Sequence, residues 1–272
     1  MKTKKISILG CGWLGLPLAK HFIAQNYTVK GSTTSVEKVA TLEAAGIQSY
    51  VFKLGTTHDD EVYANFLAES EIVIINFPPK RIPNIIDIYQ EQVNSILPFI
   101  GETQKVIFVS STSVYQNTND WVTEDLDNQP EKESGKAVLA VENILKSHIG
   151  NRLTILRLSG LIGYDRVPGR FLANKKEVAN GKAPINVIHQ DDCIGLIDAI
   201  ISKEAWGEIF NGCADEHPLR ETFYILAAKK AKLTPPQFKA ATTVAFKKIS
   251  NNKSKVMLDY TYKYADPLIL VQ

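Results

Sequence analysis

The sequence predicts an α/β fold built on a doubly wound parallel sheet, with a small C-terminal substrate lobe. Three features carry that reading. Apolar β-branched runs alternate with helical periods through the first half, a glycine-rich turn joins the first run to the first helix, and the regularity breaks down after Leu158. Runs buried on both faces and interleaved with helices call for parallel strands joined by crossovers.

Lys5 to Leu9 is a short apolar run that reads as a strand, and Trp13 to Ala24 has apolar residues at helical spacing. Thr28 to Ser32 is extended, Val36 to Ala45 helical, Ser49 to Leu54 a strand, and Asp59 to Glu69 a helix opened by acids. Glu71 to Phe77 is a β-branched run stopped by Pro78 and Pro79. Asn84 to Ile100 reads as one long amphipathic helix, Lys105 to Ser110 as a buried strand, Ser134 to His148 as a helix, and Leu153 to Leu158 as a sixth strand. Beyond it, loops rich in Gly, Pro and Arg separate short elements. These are a strand at Asn186 to His189, a helix at Asp192 to Ser202, and a helix at Leu219 to Ala231 before Pro235 and Pro236.

The most specific motif is Gly10-Cys11-Gly12-Trp13-Leu14-Gly15, directly after the first strand and opening the first helix. GxGxxG in that context is the fingerprint of a Rossmann-type dinucleotide site. The first glycine permits the tight turn, the second lets the backbone approach a pyrophosphate, and the third allows close helix–strand packing. The helix N-terminus meets the anion. Residues 1–158 therefore read as an NAD(P)-binding domain and 159–272 as mainly a substrate lobe, with elements near 186–210 returning to the sheet.

A ribose-reading acid is expected about 20 residues on. The chain instead has Ser32, Thr33 and Thr34, with Lys38 one helical turn further. Without a carboxylate to repel a 2′-phosphate, and with hydroxyl donors in its place, NADP is preferred over NAD. Asn76, Phe77, Pro78 and Ser110 stand at strand ends, where the crevice should lie; simple strand termination is the alternative reading.

Composition bounds the rest. At 272 residues, 44% hydrophobic, 22% charged and a formal net charge of +2, the chain is that of a globular protein, neither disordered nor a dedicated nucleic-acid binder. No apolar run reaches the roughly 18 residues of a membrane span. The basic residues Met1 to Lys5 lead straight into folded pattern, so they do not read as a signal peptide. Cys11, Cys193 and Cys213 lie far apart and read as reduced thiols of a cytoplasmic protein. His21, His58, His148, His189 and His217 are too scattered for a metal site, and no GxSxG, HExxH or P-loop is present. From Thr222 to Leu258 there are eight lysines and no acid. That is a surface for an anionic partner or a solvated basic face, and no aromatic platform suited to stacking bases is interleaved.

Ser110-Ser111-Thr112-Ser113-Val114-Tyr115 resembles the strand-end segment of the extended short-chain dehydrogenase/reductases, which include nucleotide-sugar epimerases and dehydratases. Glu124, Pro130, Glu142, Arg157, Gly160, Gly163, the run Ile188 to Asp192, and Phe210-Asn211-Gly212 agree in order. Gly-Trp-Leu-Gly at 12–15, the serine segment and Pro-Gly-Arg-Phe at 168–171 resemble an atypical branch provisionally labelled nucleoside-diphosphate-sugar epimerases. The resemblance implies a nicotinamide cofactor, Ser111 orienting a substrate oxygen, and a homodimer through the Asn84 and Ser134 helices. It also implies a Tyr and, four residues later, a Lys on one helix face. Alignment on Glu142 puts Ser134 and Val138 at those positions, and Lys136 is turned to another face. The spacing GxGxxG also departs from the GxxGxxG typical of extended members.

Tyr115, Tyr164 and His189 are candidate replacements for the missing Tyr, each with a packing role as the alternative. Asp191 or Asp192 is expected to cap the helix after His189. Thr112, Tyr115, Tyr164, Arg166 and Arg170 are candidates to line a pocket for a small, anionic, nucleotide-linked substrate, with Arg157 nearby in sequence. Two readings follow: an NAD(P)-dependent oxidoreductase or epimerase-like enzyme, and a catalytically silent NADP sensor acting through a protein partner. A third, from the short glycine spacing, is a hydroxyacid-dehydrogenase-like enzyme, which would want a long helical second domain.

Overall fold

The first strand, β1 (Lys5–Leu9), ends at the glycine turn, and α1 (Gly15–Ala24) follows, burying Leu18, Ala19 and Phe22. In this computed structural model, which describes residues 4–55, 60–240 and 244–272, the pattern continues with β2 (Thr28–Thr33), a 3₁₀ turn at Val36–Lys38, α2 (Val39–Ala44), β3 (Gln48–Val51), α3 (Asp60–Leu67) and β4 (Ile72–Ile75). Then come α4 (Ile85–Asn94), β5 (Lys105–Ser111), β6 (Trp121–Val122), α5 (Glu133–Ile149), β7 (Leu153–Leu158) and β8 (Gly160–Ile162). The chain closes with α6 (Gly169–Leu172), β9 (Val187–His189), α7 (Gln190–Ser202), β10 (Ile209–Gly212), α8 (Arg220–Lys230), β11 (Lys248–Ile249) and α9 (Asn252–Leu258). Met1, Lys2, Thr3, His58 and Asp59 lie outside the described residues.

The central sheet has seven strands in the order β10-β7-β5-β4-β1-β2-β3, a parallel Rossmann-type arrangement. Its order reverses beside β1, where β2 lies on one side and β4 on the other, so the switch point falls at the glycine turn. Ile6, Ile8, Val73, Ile74, Ile75, Ile107 and Phe108 are fully buried, as strands covered on both faces require.

Polar groups inside this layer are matched. The Ser7 hydroxyl lies 2.7 Å from the Phe66 carbonyl and from Ser70 Oγ. Lys30 is buried on β2, and its ammonium donates to the carbonyls of Asn65 and Ala68 at 2.7 Å. Gln104 Nε2 donates to Leu67 and Ser70, also at 2.7 Å. The last carbonyls of α3, which have no partner within the helix, are thus met from three neighbouring segments.

Two expectations are corrected. The helix expected from Asn84 to Ile100 ends at Asn94, and Leu97–Phe99 tightens into a 3₁₀ turn, because Pro98 has no N–H to continue the α pattern. The strand at Val187–His189 pairs with Gly160–Ile162 in a separate two-stranded sheet. At the end of the 186–210 stretch, Ile209–Gly212 does join the large sheet, as one of its two edge strands.

The chain divides into two compact units. The first comprises Met1–Val114, Gln129–Leu156 and Glu204–Ile209; the second Tyr115–Asn128, Arg157–Lys203 and Phe210–Gln272. The second unit has its own core of Ile162, Ile185, Val187, Phe223, Ala227 and Val271. Its two small sheets are β8 with β9 and β6 with β11. Asn186 ties the two sheets together, donating to the Lys247 carbonyl and accepting from the Ile249 amide at 2.9 Å. Among the described residues no helix is long and apolar enough to cross a membrane.

Candidate functional site

The glycine turn of the first unit has the geometry a phosphate cradle requires, each glycine for its own reason. Gly10 sits at φ +96°, and a Cβ there would come within 2.7 Å of the Asn76 carbonyl. A Cβ on Gly15 would lie 2.2 Å from the Gly10 carbonyl, so this glycine lets α1 close onto the turn. A Cβ on Gly12 would meet nothing within 4 Å. Gly12 is exposed, and the space beside it is where a ligand can approach the backbone at the start of α1.

The turn is held from both sides. Ser32 Oγ accepts from the Gly10 amide at 2.9 Å, and the Ser32 carbonyl accepts from Cys11 at 2.8 Å. Asn76 Nδ2 donates to the Gly10 carbonyl at 3.1 Å. Cys11 is buried, and burial pushes its thiol up to about 12, so it packs and does not react. Leu14 is buried and Trp13 half-buried.

A cleft of about 330 Å3 opens over this turn. Gly10, Cys11, Gly12, Ser32, Thr33, Thr34, Asn76, Phe77 and Pro78 all line it. Ser32 is drawn into holding the turn, and Thr33 Oγ1 accepts from the Ser35 amide at 3.1 Å, leaving Thr34 as the exposed hydroxyl. Phe77 sets its ring edge-on to Tyr89, 5.3 Å between centroids, and the Tyr89 hydroxyl donates to the Phe77 carbonyl at 2.7 Å. Lys38, Lys53 and Lys80 also line the cleft, with no Asp or Glu among the lining residues. Lys53 and Lys80 carry no motif. They follow the carboxyl ends of β3 and β4, the edge where open parallel sheets bind ligands, and that rule was the signal that could have found them. The bare Gly12, the helix start and this cationic lining fit a dinucleotide.

The serine segment closes β5. Ser110 is buried and donates to Glu142 Oε1 at 2.5 Å, a charge-assisted bond inside the unit. Ser111 is half-buried and its Oγ accepts from the Ser113 amide at 3.1 Å, while Thr112 is buried. On α5, Ser134 is half-buried and Val138 buried, one turn apart on one face. Lys136 is exposed and paired with Glu133 at 2.8 Å.

In the second unit, Tyr115 and Arg157 form a buried polar network. Arg157 Nη1 donates to the Tyr115 hydroxyl at 2.8 Å, and that hydroxyl donates to Asn211 Oδ1 at 2.8 Å. The Asn211 amide donates to Glu124 Oε1 at 2.7 Å. Burial pushes the Tyr115 phenol up to about 12 against the pull of Arg157. Its proton is held by Asn211, which makes it a poor acid or base at neutral pH.

His189 sits at the start of α7, and it caps that helix itself: its Nδ1 accepts from the Asp191 amide at 3.2 Å. Asp191 and Asp192 do not. Asp192 accepts from the amides of Lys263 and Tyr264 at 2.7 and 3.1 Å and from the Tyr260 hydroxyl at 2.9 Å. Asp191 takes the Lys263 ammonium at 2.6 Å and the Tyr164 hydroxyl at 2.8 Å. Burial works against the Asp191 carboxylate, but these two bonds prevail and hold it below its ordinary range. Tyr164, Arg166 and Arg170 are exposed. No cluster of three or more His, Cys, Asp or Glu suited to a metal occurs among the described residues.

Comparison with known proteins agrees with this geometry. The family model described as the NAD binding domain of 6-phosphogluconate dehydrogenase matches residues 5–129, the stretch that carries the cradle. A protein of Methylobacillus flagellatus provisionally named an NAD-dependent epimerase/dehydratase superposes with a TM-score of 0.76 at 25% identity, covering 98% of this chain and 96% of that one. UDP-glucuronic acid 4-epimerase from Bacillus cereus, solved in complex with NAD, superposes with a TM-score of 0.78 at 18% identity over 97% and 94% of the two chains. Fold, cradle and family model together define an NAD-binding Rossmann protein of epimerase-like architecture. Protein YeeZ of Escherichia coli strain K12 is 34% identical over 276 aligned residues, covering 98% of both chains. The chain belongs to the YeeZ family.

Proposed function

We propose that this protein is an NADP-dependent oxidoreductase of the atypical epimerase-like branch, acting in the cytoplasm on a small, polar, anionic and nucleotide-linked substrate. The observation that carries the cofactor preference is the acid-free lining of the cleft, to which Lys38, Lys53, Lys80 and Thr34 all contribute. A 2′-phosphate is attracted by such a lining, whereas the carboxylate that would read a free 2′-hydroxyl has no counterpart there. The bound dinucleotide supplies a hydride donor or acceptor. The chain's own residues do the rest. The backbone at Gly12 and the start of α1 hold the pyrophosphate, while Asn76 and Ser32 keep the turn in shape. Ser111 orients a substrate oxygen through its hydroxyl proton, since its oxygen already accepts from Ser113.

The test is a fluorescence titration with NADPH and NADH on wild type, Lys53→Glu and Lys38→Glu. Each charge reversal should weaken NADPH by about tenfold or more and change NADH much less. Equal binding of both cofactors by wild type would remove the NADP preference, and no binding of either would remove the reading.

One observation favours the silent sensor. Val138, at the position of the family's lysine, is an aliphatic side chain only 4% exposed, and no tyrosine occurs anywhere on α5. Tight NADPH binding with no oxidation of it by any carbonyl or sugar-nucleotide substrate would select that reading.

A further inference from the structure

The second unit contains a cavity of its own, about 240 Å3, distinct from the glycine cleft in every lining residue. Ile162, Ala227 and Val271, all core residues of this unit, form its apolar wall, with Val167 at the loop side. His189 and Lys230 bring polar groups to it, and the lining holds no acid. A compact apolar pocket with a few convergent polar groups is how small-molecule sites are built.

His189 decides what such a ligand carries. The side chain is 5% exposed and is packed against two tilted rings, Tyr264 at 3.8 Å and Tyr164 at 5.3 Å between centroids. Its Nδ1 already accepts the Asp191 amide, so the proton of the neutral imidazole belongs on Nε2. The hydrogen bond that His189 makes in the structure is through Nδ1, so Nε2–H is the ring's remaining donor. Gly163 packs close to this edge, and a larger residue would block it: a Cβ there would lie 2.6 Å from Nε2. Burial keeps the ring neutral, and therefore a fixed donor. Lys230, at the end of α8, also lines the cavity; its ammonium gives one bond to a main-chain oxygen of Gln272, the last residue, at 2.8 Å and has further protons to offer.

We propose that this cavity is a binding site for a small monocarboxylate with a compact branched or aromatic body. The body lies against Ile162, Val167, Ala227 and Val271, and the carboxylate accepts from His189 Nε2, with the Lys230 ammonium as the cation of the lining. The volume holds a ligand of single-ring size. The site stands apart from the dinucleotide reading, since no residue is shared.

The probe is benzoate, followed by saturation-transfer difference NMR and by the imidazole nitrogen resonances of His189 in the full-length protein. Binding in the millimolar range with a shift of His189 Nε2 is expected. Val167→Phe, which fills the loop side, and His189→Phe, which keeps the ring packing and removes the donor, should each weaken it about tenfold or more. Gly12→Ala, which crowds the cradle, should leave benzoate binding unchanged, so the two sites fail separately. If His189→Phe does not fold, Val167→Phe decides alone. Benzoate that leaves the His189 resonances unmoved, or that binds Val167→Phe as it binds wild type, overturns the assignment.

Discussion

Adding one methyl group at each of two cradle glycines should produce opposite results. In Gly12→Ala the new Cβ meets no atom within 4 Å, and the backbone there is not left-handed, so the fold pays nothing for it. Replacing Gly by Ala at a compatible position stiffens the unfolded chain, and stability should rise by about 0.4–1 kcal/mol. The methyl, however, stands where a phosphate must come within hydrogen-bond distance of the backbone. Holding the anion off forfeits about two charge-assisted bonds of roughly 1.5–3 kcal/mol each, which is on the order of 10²–10⁴ in NADPH affinity. In Gly15→Ala the Cβ would sit 2.2 Å from the Gly10 carbonyl, more than an ångström inside ordinary contact, so α1 must move off the turn. Overpacking of that kind costs roughly 1–3 kcal/mol or more. For a chain of this size that lowers the melting temperature by about 2–4 °C per kcal/mol. Thermal melts with and without NADPH, together with a fluorescence titration, separate the two. Wild-type NADPH affinity in Gly12→Ala would refute the cradle, and an unchanged melt in Gly15→Ala would refute the close helix–strand packing.

Three further outcomes are expected. Tyr115→Phe leaves Arg157 and Asn211 each short of a buried bond and should cost about 2–4 kcal/mol, read by denaturant unfolding; a change below about 0.5 kcal/mol would mean the network is not formed. His189 and His217 are both held below the ordinary imidazole value by burial, so the unfolded chain takes up protons first as pH falls. Their contribution is therefore present above about pH 6.5 and lost as pH falls toward the folded values, and melts across that window should drop less in His217→Gln than in wild type. Ser111→Ala should reduce turnover while cofactor affinity stays within about twofold and stability within about 1 kcal/mol, since one local bond to Ser113 is lost; an unchanged rate assigns the hydroxyl to the turn alone.

The sheet was legible because β1, β4, β5 and β7 are mainly apolar, β-branched-rich runs bounded by Gly, Pro or polar turns, and such runs have few other ways to be buried. β10 was not, because Ile209–Gly212 contains a single aromatic and no alternation, and only its partner strand makes it one. The glycine turn could be read from spacing alone. The role of Ser32 could not, since its partner is 22 residues away and a hydroxyl expected for ribose proves to hold Gly10. His189 and its two aspartates show the same limit. A helix-start pattern names candidate caps, but Asp191 and Asp192 are drawn off by Lys263, Tyr260 and Tyr264, from a segment that periodicity does not connect to them.

Lys30 offers a clock for the opening of this sheet. Burial lowers the affinity of its amine for a proton, yet the amine faces two carbonyls and the protein interior, not solvent. Acylating reagents should therefore modify exposed lysines such as Lys38 and Lys136 at once and reach Lys30 only when α3 lifts from β2. The rate at which a single peptide gains mass then measures how often that side of the molecule breathes, without any probe having to be introduced.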